Sequence, residues 1–194
     1  MAESRIKSRI LQAAVLLFGK FSFEGVTTRG LAKTAQCMEG GIYRLFGDKE
    51  SLYDVAISTV VQASVNSMAE FALKLYTEKN KKTSQTEIIK SAVHRWYSSF
   101  SLDGARLLQQ IILNDKRRRQ QAQQPFDNIL AILQTTLEQD SKKAAKSLVP
   151  KTRCESLIWT LFQLKLSYAG PADKEKQEVD RFLHDWLLTI HTTA

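Results

Sequence analysis

The sequence is poor in proline, glycine and cysteine, and each shortage excludes a class of protein. Its 194 residues include three prolines and eight glycines, whereas β-sandwiches and β-barrels need many turns and use more of both. Two cysteines, Cys37 and Cys154, with no CxxC pair, cannot form a disulfide framework, so we expect a reducing cytoplasm. No apolar run reaches about 18 residues, so no membrane-spanning helix is predicted.

The composition is that of an ordinary globular chain with a basic balance. Hydrophobic residues make up 43%, charged residues make up 25%, and the net charge is +8. A positive balance suits nucleic acid, a membrane surface or an acidic partner. The first 50 residues hold 8 basic and 5 acidic side chains, a net charge of +3. Charge alone therefore does not locate a nucleic-acid site.

The spacing of apolar residues predicts an all-α chain of about nine helices. The predicted helices cover residues 3–20, a short stretch through Leu31–Ala35, and residues 39–46, 49–74, 87–100, 103–120, 125–139, 151–168 and 174–191. Thr27, Asp48 and Asp103 are predicted N-caps, and Pro125 is predicted to start a helix. Residues 76–86 and 142–150 are polar and are predicted to be loops.

An ordered string of short motifs occupies residues 10–52. It reads Ile10-Leu11-x-Ala13-Ala14, Leu17-Phe18, Thr27-Thr28-Arg29-x-Leu31-Ala32, Gly40-x-Ile42-Tyr43-x-x-Phe46 and Lys49-Glu50-x-Leu52. This string closely resembles the N-terminal DNA-binding domain of the TetR family of transcriptional regulators. The resemblance implies a three-helix helix-turn-helix head over residues 1–48 and a helical effector-binding and dimerisation domain over residues 49–194.

The residues of the second short helix suit entry into the major groove. Gly40 and Gly41 leave one side nearly bare, so the backbone can approach base edges closely. Each glycine costs about 1 kcal/mol relative to alanine in a helix interior, so packing must hold this helix. Candidate packing residues are Leu31, Ile42, Tyr43 and Phe46, which would lie against Phe18 and Leu52.

The resemblance also implies which residues contact a palindromic, double-stranded operator. Phosphate contacts would come from Thr27, Thr28, Tyr43 and Lys49. Base-edge or groove contacts would come from Arg29, Met38, Glu39, Gly40, Gly41 and Arg44.

Three residues depart from the family pattern. Gln36 stands where the turn usually has glycine, so a positive φ there would be mildly strained. Met38 replaces the usual hydroxyl cap of the second short helix, a loss of about 1 kcal/mol. Leu45 stands where histidine or tyrosine is common, so one backbone contact is expected to be missing.

Beyond residue 52 the resemblance extends only to helical layout, and it implies an effector pocket and a dimer interface. The candidate pocket residues are Trp96, Tyr97, Phe100, Leu108, Ile112, Phe126, Ile129 and Trp159, which could equally fill a core. The candidate dimer residues are Leu157, Leu161, Leu164, Tyr168, Val179, Phe182, Leu183, Trp186, Leu187 and Ile190, which form broad apolar faces on the last two helices. The basic run Lys116–Arg119 fits either a solvated helix end or a second contact with an anion.

These observations favour a homodimeric repressor that a small, largely apolar effector releases from its operator. The alternative is a helical ligand-binding protein that keeps the motif and no longer reads DNA. No P-loop, Rossmann glycine pattern or nucleophile elbow occurs, so no enzymatic activity and no cofactor are expected. The three histidines show no metal-ligand spacing, so no metal is expected either. No membrane partner is predicted.

Overall fold

A computed structural model describes residues 2–77, 84–141, 151–168 and 171–192. Within these ranges the chain is all helical, as predicted, and has no strand. The nine helices are α1 (Ala2–Lys20), α2 (Thr28–Thr34), α3 (Glu39–Phe46), α4 (Lys49–Thr77), α5 (Gln85–Ser98), α6 (Leu102–Asn114), α7 (Arg119–Ser141), α8 (Lys151–Ser167) and α9 (Ala172–Thr192). None of these described helices is long and apolar enough to cross a membrane.

The helices form two compact units. The first comprises residues 1–63 and 100–124, and the second comprises residues 64–99 and 125–194. The predicted boundary between residues 48 and 49 concerns function rather than compactness, and it stays a prediction.

Two helix boundaries in the middle of the chain differ from the prediction. The helix predicted over residues 103–120 ends at Asn114, because the Asp115 carboxylate accepts hydrogen bonds from the backbone N–H groups of Arg117 (3.0 Å) and Arg118 (3.1 Å). Pro125 lies inside α7 and does not begin it. A proline lacks only one helical hydrogen bond, and the buried packing of α7 outweighs that loss.

The predicted caps are partly confirmed. Thr27 caps α2 by accepting from the Gly30 N–H at 3.1 Å, and Asp48 accepts from the Ser51 N–H at 2.7 Å at the start of α4. Asp103 is wrong as a cap, because Ser101 accepts from the Gly104 N–H at 3.0 Å instead.

The predicted loops at residues 76–86 and 142–150 fall largely outside the described residues. Residues 78–83 and 142–150 are not described. Tyr76 and Thr77 end α4, so they are helical and not loop. Gln85 and Thr86 are also helical, because Ser84 and Glu87 form a capping box that starts α5.

The first unit is held by close approach of α1 and α6. A Cβ on Gly19 of α1 would lie 2.7 Å from the Asp103 carbonyl oxygen of α6, so only glycine fits without movement. A Cβ on Gly104 would lie 3.2 Å from the Val60 side chain of α4. Two glycines thus let α6 pack closely against α1 and α4, next to the helices that carry the motif.

The second unit has an aromatic core. The Phe126 ring packs edge-on against Trp96, with centroids 5.6 Å apart, and against Phe162, at 4.8 Å. The buried indole of Trp96 donates to the Pro125 carbonyl at 3.0 Å, so its polar atom is satisfied. Burial and then the hydrogen bond that its hydroxyl donates to Glu175 at 2.8 Å raise the pKa of Tyr97.

Candidate nucleic-acid interface

The helix-turn-helix consists of α2, a four-residue turn and α3. Leu31, Ala32 and Ile42 are buried and anchor the two helices. In the turn, Gln36 has φ +51°, as its place in the motif predicted, and its carbonyl accepts a hydrogen bond from Arg9 at 3.2 Å. This left-handed residue redirects the chain from α2 into α3.

The outer face of α3 is bare. A Cβ placed on Gly40 or Gly41 would have no heavy atom outside the helix within 4 Å. Met38, the N-cap of α3, is 87% exposed, and Tyr43 is 49% exposed, so about half of the Tyr43 side chain is open to solvent. The predicted slim, open helix is therefore present, and its backbone can be approached from solvent.

A hydrogen-bonded chain of side chains crosses from α3 to α2. The Tyr43 hydroxyl donates to the Thr28 hydroxyl at 3.4 Å. The Thr28 hydroxyl in turn donates to the Glu39 carboxylate. Because Thr28 uses its own proton on Glu39, it is oriented as an acceptor toward Tyr43, and the Glu39 carboxylate is held at the start of α3.

Three other predicted contact residues are exposed around this chain. Thr27 and Arg29 are exposed at the start of α2. Arg44 of α3 is exposed and pairs with Glu3 of α1 at 2.7 Å, both side chains being about 60% accessible. Exposed pairs of this kind are worth little, so Arg44 can exchange Glu3 for another anion.

Lys49 makes contacts within the chain that the sequence did not predict. Its ammonium donates to the carbonyl oxygens of Phe23 (2.9 Å) and Val26 (3.0 Å) and lies 4.2 Å from the centre of the Phe23 ring. Lys49 therefore anchors the loop before α2 to the start of α4. A sequence pattern cannot reveal this role, because the two carbonyls are 23 and 26 residues away.

The other two departures from the motif have visible consequences. Met38 is the N-cap of α3 and makes no side-chain capping hydrogen bond, as predicted. Leu45 is half-buried and supplies no polar group at its position.

Residues 10–56 match the family model for bacterial regulatory proteins of the tetR family. The resemblance to the TetR family is confirmed. No curated protein matches the chain.

Solved structures of TetR-family regulators share the fold over almost the whole chain. HlyIIR, a hemolysin II transcriptional regulator, is 19% identical, with 94% of this chain and 97% of that chain covered and a TM-score of 0.65. The fatty acid degradation regulator FadR from Bacillus halodurans is 18% identical, with 94% of each chain covered and a TM-score of 0.65. A transcriptional regulator (TerR/AcrR family) from Aquifex aeolicus VF5 is 18% identical, with 92% and 98% covered and a TM-score of 0.63. Such low identity shows the fold alone.

The eight predicted pocket residues are divided between the two compact units, and their role stays a prediction. Phe100, Leu108 and Ile112 belong to the first unit, and Trp96, Tyr97, Phe126, Ile129 and Trp159 belong to the second. Six of the eight are at most 6% exposed, Ile112 is half-buried and Trp159 is 40% exposed. In the second unit the rings of Phe126 and Trp159 stack with their centroids 5.1 Å apart.

Half of the predicted dimer residues face inward. Leu157, Leu161, Val179, Leu183 and Leu187 are at most 6% exposed within the chain itself, so their periodicity reflects the core of the second unit. Leu164, Tyr168 and Trp186 are half-buried, Phe182 is 38% exposed, and the side chain of Ile190 lies outside the described residues. A groove of about 370 Å³ on α8 and α9 is lined by Ser156, Leu157, Thr160, Arg181, Phe182, Asp185 and Trp186.

The basic run Lys116–Arg119 does not form the C-terminal end of α6, which stops at Asn114, and it is not uniformly solvated. It spans the turn after Asp115 and the first residue of α7. Arg117 is 76% exposed, whereas the side chain of Arg118 is 11% exposed and surrounded by carboxylates. The hydrogen bond to Asp54 is the main cause that raises the pKa of Arg118 above its usual value. Burial raises the pKa of the neighbouring Tyr53 to about 12.

Proposed function

We propose that the chain is a DNA-binding transcriptional regulator that acts as a homodimer and, as a repressor, is released from a palindromic operator by a small effector. The observation that supports this most is the open face of α3, where a Cβ on Gly40 or Gly41 would have no atom outside the helix within 4 Å. Helical glycines without a packing role are destabilising, and close approach to base edges explains them. Residues 1–48 would read DNA, and residues 49–194 would bind the effector and the partner.

The proposed contacts are those that the motif implies. Phosphate contacts are assigned to Thr27, Thr28, Tyr43 and Lys49, and base-edge or groove contacts to Arg29, Met38, Glu39, Gly40, Gly41 and Arg44. The ammonium of Lys49 donates to two carbonyl oxygens within the chain, which leaves its third N–H for a phosphate.

Selection from random duplexes tests the proposal, followed by gel-shift titrations with Arg44→Gln. Arg117→Gln is the matched control, because Arg117 is an exposed arginine that, like Arg44, pairs with one glutamate, and it is assigned no contact with DNA or with the partner. We expect wild type to select a palindrome. Arg44→Gln should lose about 1–3 kcal/mol of specific affinity if Arg44 contacts a base, and Arg117→Gln should bind as wild type does. Equal affinities of all three proteins would contradict the assignment of Arg44.

The homodimer is proposed to form over the α8–α9 groove. Phe182 and Trp159 are 38% and 40% exposed, and Arg181 and Asp185 border the groove with opposite charges. A two-fold axis would pair each charge with its opposite in the partner. Light scattering should show a dimer for wild type, a monomer for Phe182→Asp and a dimer for the control Leu113→Asp, whose leucine is 66% exposed on α6. A monomeric wild type would refute this proposal.

The effector is proposed to enter the aromatic core of the second unit, where Trp159 lies at the surface and stacks on Phe126. A small, largely apolar molecule would displace the Trp159 ring and bind the DNA-incompetent form better, as any effector must. Small molecules that co-purify with the protein can be identified by mass spectrometry and added to gel shifts. A compound that releases wild type and Trp159→Ala from the operator equally well would contradict this location.

The second candidate is a helical ligand-binding protein that no longer reads DNA. The strained Gln36 and the uncapped Met38 favour it, because both weaken the reading head. It predicts that no sequence is enriched from random duplexes although the purified protein is folded.

A further inference from the structure

Arg118 makes the densest set of polar contacts in the first unit. Its Nε donates to Asp54 at 2.5 Å, its Nη2 to Glu50 at 2.8 Å and its Nη1 to Asp115 at 3.0 Å. The guanidinium carbon also lies 5.0 Å from the centre of the Tyr53 ring. A planar guanidinium can bridge several carboxylates at once, which an ammonium cannot do with the same geometry.

The three carboxylates belong to two different segments. Glu50 and Asp54 lie one turn apart at the start of α4, whereas Asp115 forms the turn between α6 and α7. Asp115 uses its other oxygen to accept from the backbone of Arg117 and Arg118, so two hydrogen bonds close the turn. Arg118 therefore ties this turn to the first two turns of α4.

The start of α4 is also tied on a second side, because Lys49 holds the loop before α2. Only Gly47 and Asp48 separate α3 from α4, and Asp48 caps α4. The direction of α3 must follow the direction in which α4 begins. Anything that fixes the first turns of α4 also fixes how α3 is presented.

We propose that Arg118 is a positioning residue for DNA binding, which orients the recognition helix α3 through α4 without touching DNA. The inference rests on the proposed function. Its side chain is 11% exposed and is bonded to three carboxylates, so it is not free to pair with phosphate. Its role is to hold the reading head in the orientation that a specific site requires.

The test uses the full chain and compares Arg118→Met, Arg118→Lys and the control Arg117→Met. Arg117 is the matched control because it is 76% exposed and pairs only with Glu50 among the described residues. Affinity is measured by gel shift over a range of salt concentrations, for the duplex that wild type selects and for a scrambled duplex. Measurements are made at a temperature at which circular dichroism shows every variant to be folded.

Arg118→Met should lose about tenfold or more in affinity for the selected duplex, because misorientation removes base contacts. Its affinity for the scrambled duplex and its salt slope should stay as in wild type, since no phosphate contact is lost. The affinity of Arg118→Lys for the selected duplex should lie between those of wild type and Arg118→Met. Arg117→Met should bind within about twofold of wild type, as expected for an exposed pair. If Arg118→Met does not fold, Asp54→Asn removes one bond of the network and should shift the ratio of specific to non-specific affinity in the same direction.

Four results would overturn the proposal. An unchanged ratio of specific to non-specific affinity, with only a lower melting temperature, would leave Arg118 a purely structural role. A salt slope reduced by about one would make Arg118 a phosphate contact. A wild type that selects no duplex would refute the proposed function and this inference together, whereas normal selection by wild type and by Arg118→Met would refute the inference alone.

Discussion

Gly41 and Gly19 are helical glycines of the same compact unit, and their surroundings are opposite. A Cβ on Gly41 would meet nothing within 4 Å, whereas a Cβ on Gly19 would collide with the Asp103 carbonyl at 2.7 Å. Packing within the chain excludes a side chain at Gly19, whereas a methyl group at Gly41 would meet no neighbouring atom of the described residues. Glycine destabilises a helix interior. A helical glycine that packs against no other part of the chain is therefore expected where another molecule approaches the helix closely.

The two glycines represent two faces of the unit. The face around α3 combines the bare Gly40 and Gly41, the uncapped Met38 and the left-handed Gln36, each of which lowers the stability of the isolated chain. Where α6 packs on α1, close contact between the helices stabilises the unit. Glycine-to-alanine substitutions should therefore raise the free energy of unfolding in α3 and lower it where α1 meets α6.

Gly19→Ala should have the largest effect on stability. The added methyl group would overlap backbone of α6, so the helices must separate, and overpacking of this kind costs about 1–3 kcal/mol. Urea denaturation followed by circular dichroism measures the change. A variant as stable as wild type would show that the α1–α6 approach is not tight, and the comparison with Gly41 would fail.

Gly41→Ala should change stability and DNA binding in opposite directions. Alanine gains about 1 kcal/mol of helix stability in an open position. The same methyl group would stand between the helix backbone and the base edges, so we expect operator affinity to fall by about tenfold, a change of 1.4 kcal/mol. Gly25→Ala, a loop substitution outside α3, is the binding control. A stabilised Gly41→Ala variant that binds the operator as tightly as wild type would contradict the proposal that Gly41 allows close approach to base edges.

The buried Tyr53 should make the protein less stable at alkaline pH. The pKa of Tyr53 is raised from 10.0 to about 12, first by burial, so the folded chain keeps a proton that the unfolded chain loses. Stability is fully present below pH 10 and is lost as pH rises toward 12, by roughly 1 kcal/mol between pH 8 and 11. Tyr53→Phe should lose less stability over this range, and Tyr97→Phe should behave likewise, because the pKa of Tyr97 is raised as well. Identical alkaline profiles for wild type and Tyr53→Phe would contradict the assignment.

The helix-turn-helix head, residues 1–48, was predictable because the sequence features that define it lie close together along the chain. Thr27 and Asp48 were recognisable as caps, and Gly40 and Gly41 fall within a string of motifs that spans fewer than 50 residues. The role of Lys49 was missed, because its partners are carbonyl oxygens of a loop and carbonyl oxygens have no sequence signature. Arg118 was missed for a related reason: its partners Glu50 and Asp54 are more than 60 residues away.

The C-terminal helices show a different limit. Apolar periodicity predicted the helices α8 and α9, but it could not tell a face that packs within the chain from one that packs against a second chain. Leu161 and Leu183 satisfy the same spacing as Phe182, yet the first two are fully buried and Phe182 is 38% exposed. Hydrophobic area measures the need for a neighbour and not the identity of that neighbour.

A new cap on α3 should raise stability by a moderate amount. In Met38→Thr the hydroxyl can accept from an N–H group in the first turn of α3, which methionine cannot do, and a cap is worth about 1 kcal/mol. The gain should appear as a higher midpoint in urea with an unchanged slope. Met38→Ala separates the cap from the loss of the methionine side chain and should not be stabilised.

Gln36→Gly should give the smallest change in the free energy of unfolding. It also tests whether the DNA-binding face includes the turn before α3. Gln36 has φ +51°, a conformation that costs a side-chain-bearing residue about 1–2 kcal/mol and glycine almost nothing. Glycine also gives the unfolded chain more freedom, which opposes the gain by about 0.5–1 kcal/mol, so a net stabilisation of a few tenths of a kcal/mol is expected. Because Gln36 lies in the turn and makes no proposed DNA contact, operator affinity should not fall. A loss of affinity would mean that the Gln36 side chain itself reaches the operator, and the open face would then extend beyond α3 into the turn that precedes it.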